Sequence, residues 1–108
     1  MVAGRRRVVI TGMGCVTPLG TTVDQLWANL LAGASGVGYT TIFDASRFPT
    51  KIAAEVRNWD LSREGRSEPH WSRVHRHTRF AAGAALQAMR AAGLAGGVPA
   101  DPTRLGVY

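Results

Sequence analysis

An α/β architecture ordered β-α-β-α-β is the fold class this sequence predicts, and three observations predict it. A continuous β-branched run, Val8-Val9-Ile10, stands near the start. Two stretches, around 22–32 and 71–92, repeat apolar residues at helical spacing. Two more apolar segments, Lys51 to Val56 and Leu105 to Tyr108, have the length and character of strands.

The first strand is expected over Arg7 to Thr11, because an uninterrupted β-branched run suits a strand covered on both faces of a parallel or mixed sheet. Gly12-Met13-Gly14 ends it, and Pro18-Leu19-Gly20 continues the loop. A helix is predicted from about Thr22, which has capping-box spacing to Gln25; Asp24 suits the positive end of the helix dipole. Val23, Leu26, Trp27, Leu30 and Leu31 then make one apolar stripe, and Gly33 is a good residue to close the helix. A loop through Gly36 and Gly38 leads to the second strand, Lys51 to Val56. The polar stretch from Asn58 to Pro69 reads as a surface connection.

The second helix is predicted from about Trp71 to Ala92, with Gly93 as its stop. Its alanines and Gly83 allow close backbone approach, so it is expected to sit tightly on a sheet. A Gly/Pro loop follows Leu94, and Leu105 to Tyr108 reads as a third strand. A four-residue apolar strand with no turn after it leads to the expectation that the chain is cut within a sheet near 104–108.

At 108 residues the chain has the size of one small domain, and its 45% apolar content is that of a globular protein. The formal net charge is +6, carried almost wholly by arginine, with Lys51 the sole lysine. This charge suits an acidic partner, or reflects a G- and C-rich genome that favours Arg, Ala and Gly codons. One cysteine, Cys15, excludes an internal disulfide. Arg5-Arg6-Arg7 is followed by too short an apolar run for a secretory signal, and no stretch approaches a membrane span. A cytoplasmic protein without a membrane partner is expected.

Gly12-Met13-Gly14-Cys15-Val16-Thr17 lacks the third glycine of a dinucleotide fingerprint, and Pro18 delays the helix, so no cofactor is expected there and the glycines read as a tight turn. Cys15 reads as a structural thiol, since no base is near it in sequence and it precedes the helix by several residues. His70, His75 and His77 contain no i, i+4 pair, and on a helix His75 and His77 would point about 200° apart. No metal site is therefore expected. Arg57, Arg63, Arg66, Arg73, Arg76 and Arg79 make a basic region around the start of the second helix, suited to phosphates, to an acidic protein or to solvent. No pattern supports nucleic acid specifically.

The order of several segments carries a resemblance. These are Arg6-Arg7-Val8-Val9-Ile10-Thr11-Gly12-Met13-Gly14-Cys15-Val16-Thr17-Pro18-Leu19-Gly20, Trp27 through Leu31-Ala32-Gly33, Ser35-Gly36, and Phe43-Asp44-Ala45-Ser46. Lys51 to Val56, His77-Thr78-Arg79-Phe80-Ala81 and Arg104 to Tyr108 follow. Together they resemble the opening of the β-ketoacyl-acyl carrier protein synthases of the elongating type. The resemblance implies a thiolase-type fold, with two duplicated α/β halves paired as a homodimer. Residues 1–108 would be an incomplete N-terminal domain, part of the first half. In that family a cysteine thiolate takes the acyl chain from acyl carrier protein, and two histidines promote decarboxylation of the malonyl thioester. Cys15, His70, His75 and His77 match no such position, so no catalytic residue is assigned and the chain alone is expected to be inactive.

The family docks the acidic carrier protein partly on a basic patch at the start of the second helix. Arg73 stands at a matching position; Pro69 and Ser72 stand where other members can be basic, and Arg66 and Arg76 are candidates to compensate. His75 departs from the acidic residue common there. Val16-Thr17-Pro18-Leu19-Gly20 favours a discrete synthase over a modular polyketide enzyme, while an aromatic-polyketide ketosynthase or its chain-length partner stays open. A small basic nucleic-acid-binding module is the alternative of another class, and an inert product of a truncated gene is a third.

Overall fold

A nine-residue helix, α1 (Val23–Leu31), begins where the caps place it. Thr22 is extended and its hydroxyl accepts from the Gln25 N–H at 3.2 Å. The other half of the capping box falls one residue earlier than expected: Gln25 Oε1 accepts from the backbone N–H and the hydroxyl of Thr21. Gly33, at φ +67°, closes the helix. The N–H of Gly33 reaches Leu30 O and that of Ala34 reaches Asn29 O, a Schellman arrangement. The computed structural model describes residues 4–97 and 101–108.

Two three-residue strands follow, β1 (Val37–Tyr39) and β2 (Ile52–Ala54). They pair antiparallel, Val37 opposite Ala54 and Tyr39 opposite Ile52. The strand predicted from Lys51 to Val56 is thus shorter at both ends, and its partner lies in the segment read as a loop. Arg7 to Thr11 and Leu105 to Tyr108 form no strand in the described residues. A strand exists only through its ladder, and these segments have no ladder partner: Val8 is 92% exposed and Val107 98%. Pro102–Arg104 is instead a single 3-10 turn, capped by Asp101. Residues 98–100, within the predicted Gly/Pro loop, lie outside the described residues.

The second helix is shorter than its periodicity. Pro69–Arg73 is a 3-10 turn started by its proline, and Val74 and His75 are extended. α2 (Arg76–Ala91) begins only after this break. Helical spacing continues across the break, so periodicity alone cannot register it. At the far end Gly93 is left-handed, at φ +75°, and Gly93 and Leu94 repeat the Schellman bonds to Arg90 O and Met89 O.

Two of the three core residues, Trp59 and Leu61, lie in the segment expected to be a polar surface connection, and the third, Val56, ends the expected second strand. Val56, Trp59 and Leu61 are buried together, and Leu61 is only 1% exposed. Asp60, between them, points out and caps the 3-10 turn Leu61–Glu64, accepting from Ser62 N–H at 2.9 Å. Val16, Trp71, Phe80, Ala82 and Leu86 pack on this cluster. Gly83 is buried because the Trp59 ring occupies the space a Cβ would take. The tight approach predicted for α2 is therefore real, but it is made to an aromatic ring and a short loop, not to a sheet. The radius of gyration, 18.0 Å, exceeds the roughly 13 Å of a compact chain this long, consistent with one localised core.

Candidate functional site

Five of the six arginines of the basic region fall into two groups, and Arg63 lies exposed on the 3-10 turn Leu61–Glu64. Arg57, Arg76 and Arg79 are engaged by the fold. Arg57 Nη2 donates to Tyr39 O at 2.8 Å and lies 3.6 Å from Glu55. Arg76 Nη2 donates to Val56 O at 2.8 Å, and its guanidinium lies over the Phe80 ring, 5.2 Å from the centroid. Arg79 lies 3.6 Å from Asp60. These contacts hold β1 beside the segment after β2, and α2 beside the core.

Arg66 and Arg73 sit on the outer side of the break that precedes α2. Arg66 follows the left-handed Gly65, and its Nη1 is 3.2 Å from Glu68 Oε1. Arg73 is the last residue of the 3-10 turn and is exposed, with no ion pair among the described residues. Of the three candidates for carrier-protein docking, Arg73 is exposed without an ion pair among the described residues, and Arg66 is half exposed and paired with Glu68. Arg76 spends its guanidinium on Val56 and Phe80. Ser72 Oγ donates to Pro69 O at 2.7 Å, tightening the turn that carries Arg73.

His75 and His77 are also brought together, against the helical expectation. His75 is extended at the α2 N-cap, so the two rings stack at 5.5 Å and 9° instead of pointing apart. His70 lies against Trp71, with centroids 5.0 Å apart. Among the described residues no three His, Cys, Asp or Glu side chains converge as a metal site would require.

The glycine segment is not the tight turn the sequence suggested. Gly12 lies against Ala88 of α2 and its C-cap Ala92, and Gly14 lies against Ala84 and Gln87, so closely that any Cβ would collide with the backbone there. The absent side chains let one backbone rest on another. Cys15 beside them is half-buried, and burial pushes its thiol pKa up, the reverse of what a thiolate nucleophile needs.

Gln87, which sequence reasoning missed, joins three segments. Its Oε1 accepts from Cys15 N–H at 3.2 Å, and its Nε2 donates to Thr21 O at 2.8 Å and to Glu64 Oε1 at 2.9 Å. Arg90, one turn on, pairs with the same Glu64. An uncharged polar residue on the alanine-rich face of a predicted helix was the available signal. A second anchor is the buried Glu55, whose carboxylate accepts from Thr41 N–H and Oγ and from Ile42 N–H. Those bonds, first of all that from the Thr41 hydroxyl, hold its pKa below the usual glutamate value.

Comparison with known proteins shows the family. Residues 5–108 match the model of the β-ketoacyl synthase N-terminal domain. A 3-oxoacyl-(acyl-carrier-protein) synthase 2 of Coxiella burnetii is 64% identical over 56 residues, covering 52% of this chain and 14% of its own length. The enzyme of that name from Vibrio harveyi is 37% identical over 90 residues, covering 83% of this chain and 21% of its own length. Among solved structures, the ishigamide ketosynthase/chain length factor superposes with a TM-score of 0.75 at 35% identity, over 95% of this chain and 24% of that one. The chain therefore spans a quarter or less of the proteins it matches.

Proposed function

The chain belongs to the β-ketoacyl synthase family, and from that membership we propose that it forms part of the N-terminal half of a thiolase-type 3-oxoacyl-acyl carrier protein synthase. The complete enzyme would condense an enzyme-bound acyl group with malonyl-acyl carrier protein in fatty-acid elongation, as a cytoplasmic homodimer. The observation that carries this reading is the continuous family match from 5 to 108. Relatives named 3-oxoacyl-(acyl-carrier-protein) synthase 2 support the fatty-acid assignment.

The role proposed for this portion is to bind, not to react. In family members the nucleophilic cysteine sits in a small-residue motif at a helix start, which residues 1–108 do not contain. Arg73, exposed on the turn before α2, and Arg66, exposed ahead of that turn, are proposed to meet the acidic face of the carrier protein, with Arg76 tying the start of α2 to Val56. Expressing the chain with the coding sequence that continues past Tyr108, and assaying condensation of acyl- and malonyl-carrier protein, tests the reading; no 3-oxoacyl product would sink it. The 108 residues alone are expected to leave malonyl thioester intact, and decarboxylation above a blank would refute that part.

A second reading has a specific support. The solved structure that superposes over 95% of this chain is a ketosynthase/chain length factor. On that reading the chain is part of a type II polyketide ketosynthase or of its chain-length subunit. A cysteine at the nucleophile position separates a synthase from the chain-length subunit, and product analysis separates the two pathways.

A further inference from the structure

The three arginines of the docking surface differ in how free they are to meet a partner. The Arg76 guanidinium donates to Val56 O and lies over the Phe80 ring, which ties it to the fold. Arg66 is paired with Glu68, two residues along, at 3.2 Å, with both side chains about half exposed. Pro69 follows Glu68 and keeps it extended, at φ −60° and ψ 139°, the backbone a residue before proline prefers. The carboxylate lies beside Arg66, and its own backbone N–H, then Arg66, keep its pKa below the usual glutamate value. Arg73 has no such neighbour among the described residues.

We propose that Glu68 gates the docking surface by occupying Arg66, so that Arg73 is the standing anchor for an acidic protein partner and Arg66 joins only when Glu68 is displaced. This rests on the carrier-protein reading above. An exposed ion pair is weak enough to exchange one carboxylate for another. A partner that approaches Arg66 must nevertheless bring its own acid close to Glu68, and like charges at an interface oppose binding. The gate therefore makes docking weaker and more easily reversed than a freely available Arg66 beside Arg73 would. A carrier that must leave after each delivery of its cargo fits such a surface.

Binding of purified acyl carrier protein to the complete enzyme, by titration calorimetry at low ionic strength, tests the gate through a double-mutant cycle. Arg73→Ala is expected to weaken binding about tenfold, whereas Arg66→Ala in the native background changes it less than about twofold. Glu68→Gln, which preserves the residue's shape before Pro69, tightens binding about threefold, and adding Arg66→Ala removes that gain. Asp24→Asn, which removes a carboxylate from α1, leaves binding unchanged and controls for bulk charge. The gate is overturned if Glu68→Gln has no effect, if its gain survives without Arg66, if Asp24→Asn tightens binding equally, or if Arg66→Ala alone matches Arg73→Ala. Those failures are distinct from failure of the reading beneath, which would appear as no binding of carrier protein by the native enzyme.

Discussion

The two helices make the instructive comparison. Both are amphipathic by sequence, and both end in a left-handed glycine with the same pair of Schellman bonds. α2 buries Gly83 under Trp59 and presses Phe80 and Leu86 onto the core. α1 buries nothing fully: Trp27 is 62% exposed, and Leu30 and Leu31 on the same stripe are exposed as well. Periodicity states which face of a helix is apolar. Whether that face finds a partner depends on residues far away in the chain, and α2 has Trp59 and Leu61 while α1 has no such cover among the described residues.

The sharpest test of the contrast is the ring on which α2 rests. Trp59→Ala is expected to cost about 3–5 kcal/mol, read from urea denaturation, because it opens a cavity beneath Gly83 that the helix cannot close. A cost under 1 kcal/mol would mean that α2 does not depend on this contact. Overfilling the same joint should matter less. Gly83→Val is expected to cost about 1–3 kcal/mol, and loss of hydrogen-exchange protection in α2 should accompany it.

On α1 the expectation inverts. Leu30→Ala should change the stability of the 108-residue chain by no more than about 0.5 kcal/mol, since its side chain is already largely in water. The same substitution in the proposed complete enzyme measures how much of that stripe is covered there. A large cost in the short chain would show that α1 is packed after all.

A subtler test lies at the joint beside β2, read as a slope of stability against pH. The native pKa of Glu55 is depressed, chiefly by the Thr41 bonds, so its contribution is complete above the ordinary glutamate pKa and is lost as pH falls through the lower native value. Glu55→Gln should flatten that acid limb, and an unchanged limb would assign the acid loss to other carboxylates. Asp60, also depressed by its bonds to Ser62, acts in the same direction and is the first to examine in that event.

Legibility followed the range of the interaction. Thr22, Gly33 and Gly93 announce helix ends because caps and left-handed closures are made within a few residues. β1 was not legible, since Val37-Gly38-Tyr39 is short, interrupted by glycine, and a strand only through Ile52 to Ala54 opposite. Trp59 and Leu61 were hidden in a polar stretch whose caps and charges spoke for a loop. They are buried because α2 comes over them. For the proposed docking surface, Arg66 and Arg73 were readable as exposed cations. The diversion of Arg76 to a carbonyl 20 residues back was not.

Composition, caps and segment order, taken alone, determined the two helix termini that glycine closes, the basic character of the turn before α2, and the family whose opening segments these are. The tertiary structure decided which arginines remain available, which glycines serve close approach, and where the core lies. Each of those depends on atoms brought together across tens of residues. A local pattern can prepare such contacts but cannot select among the partners that compete for them.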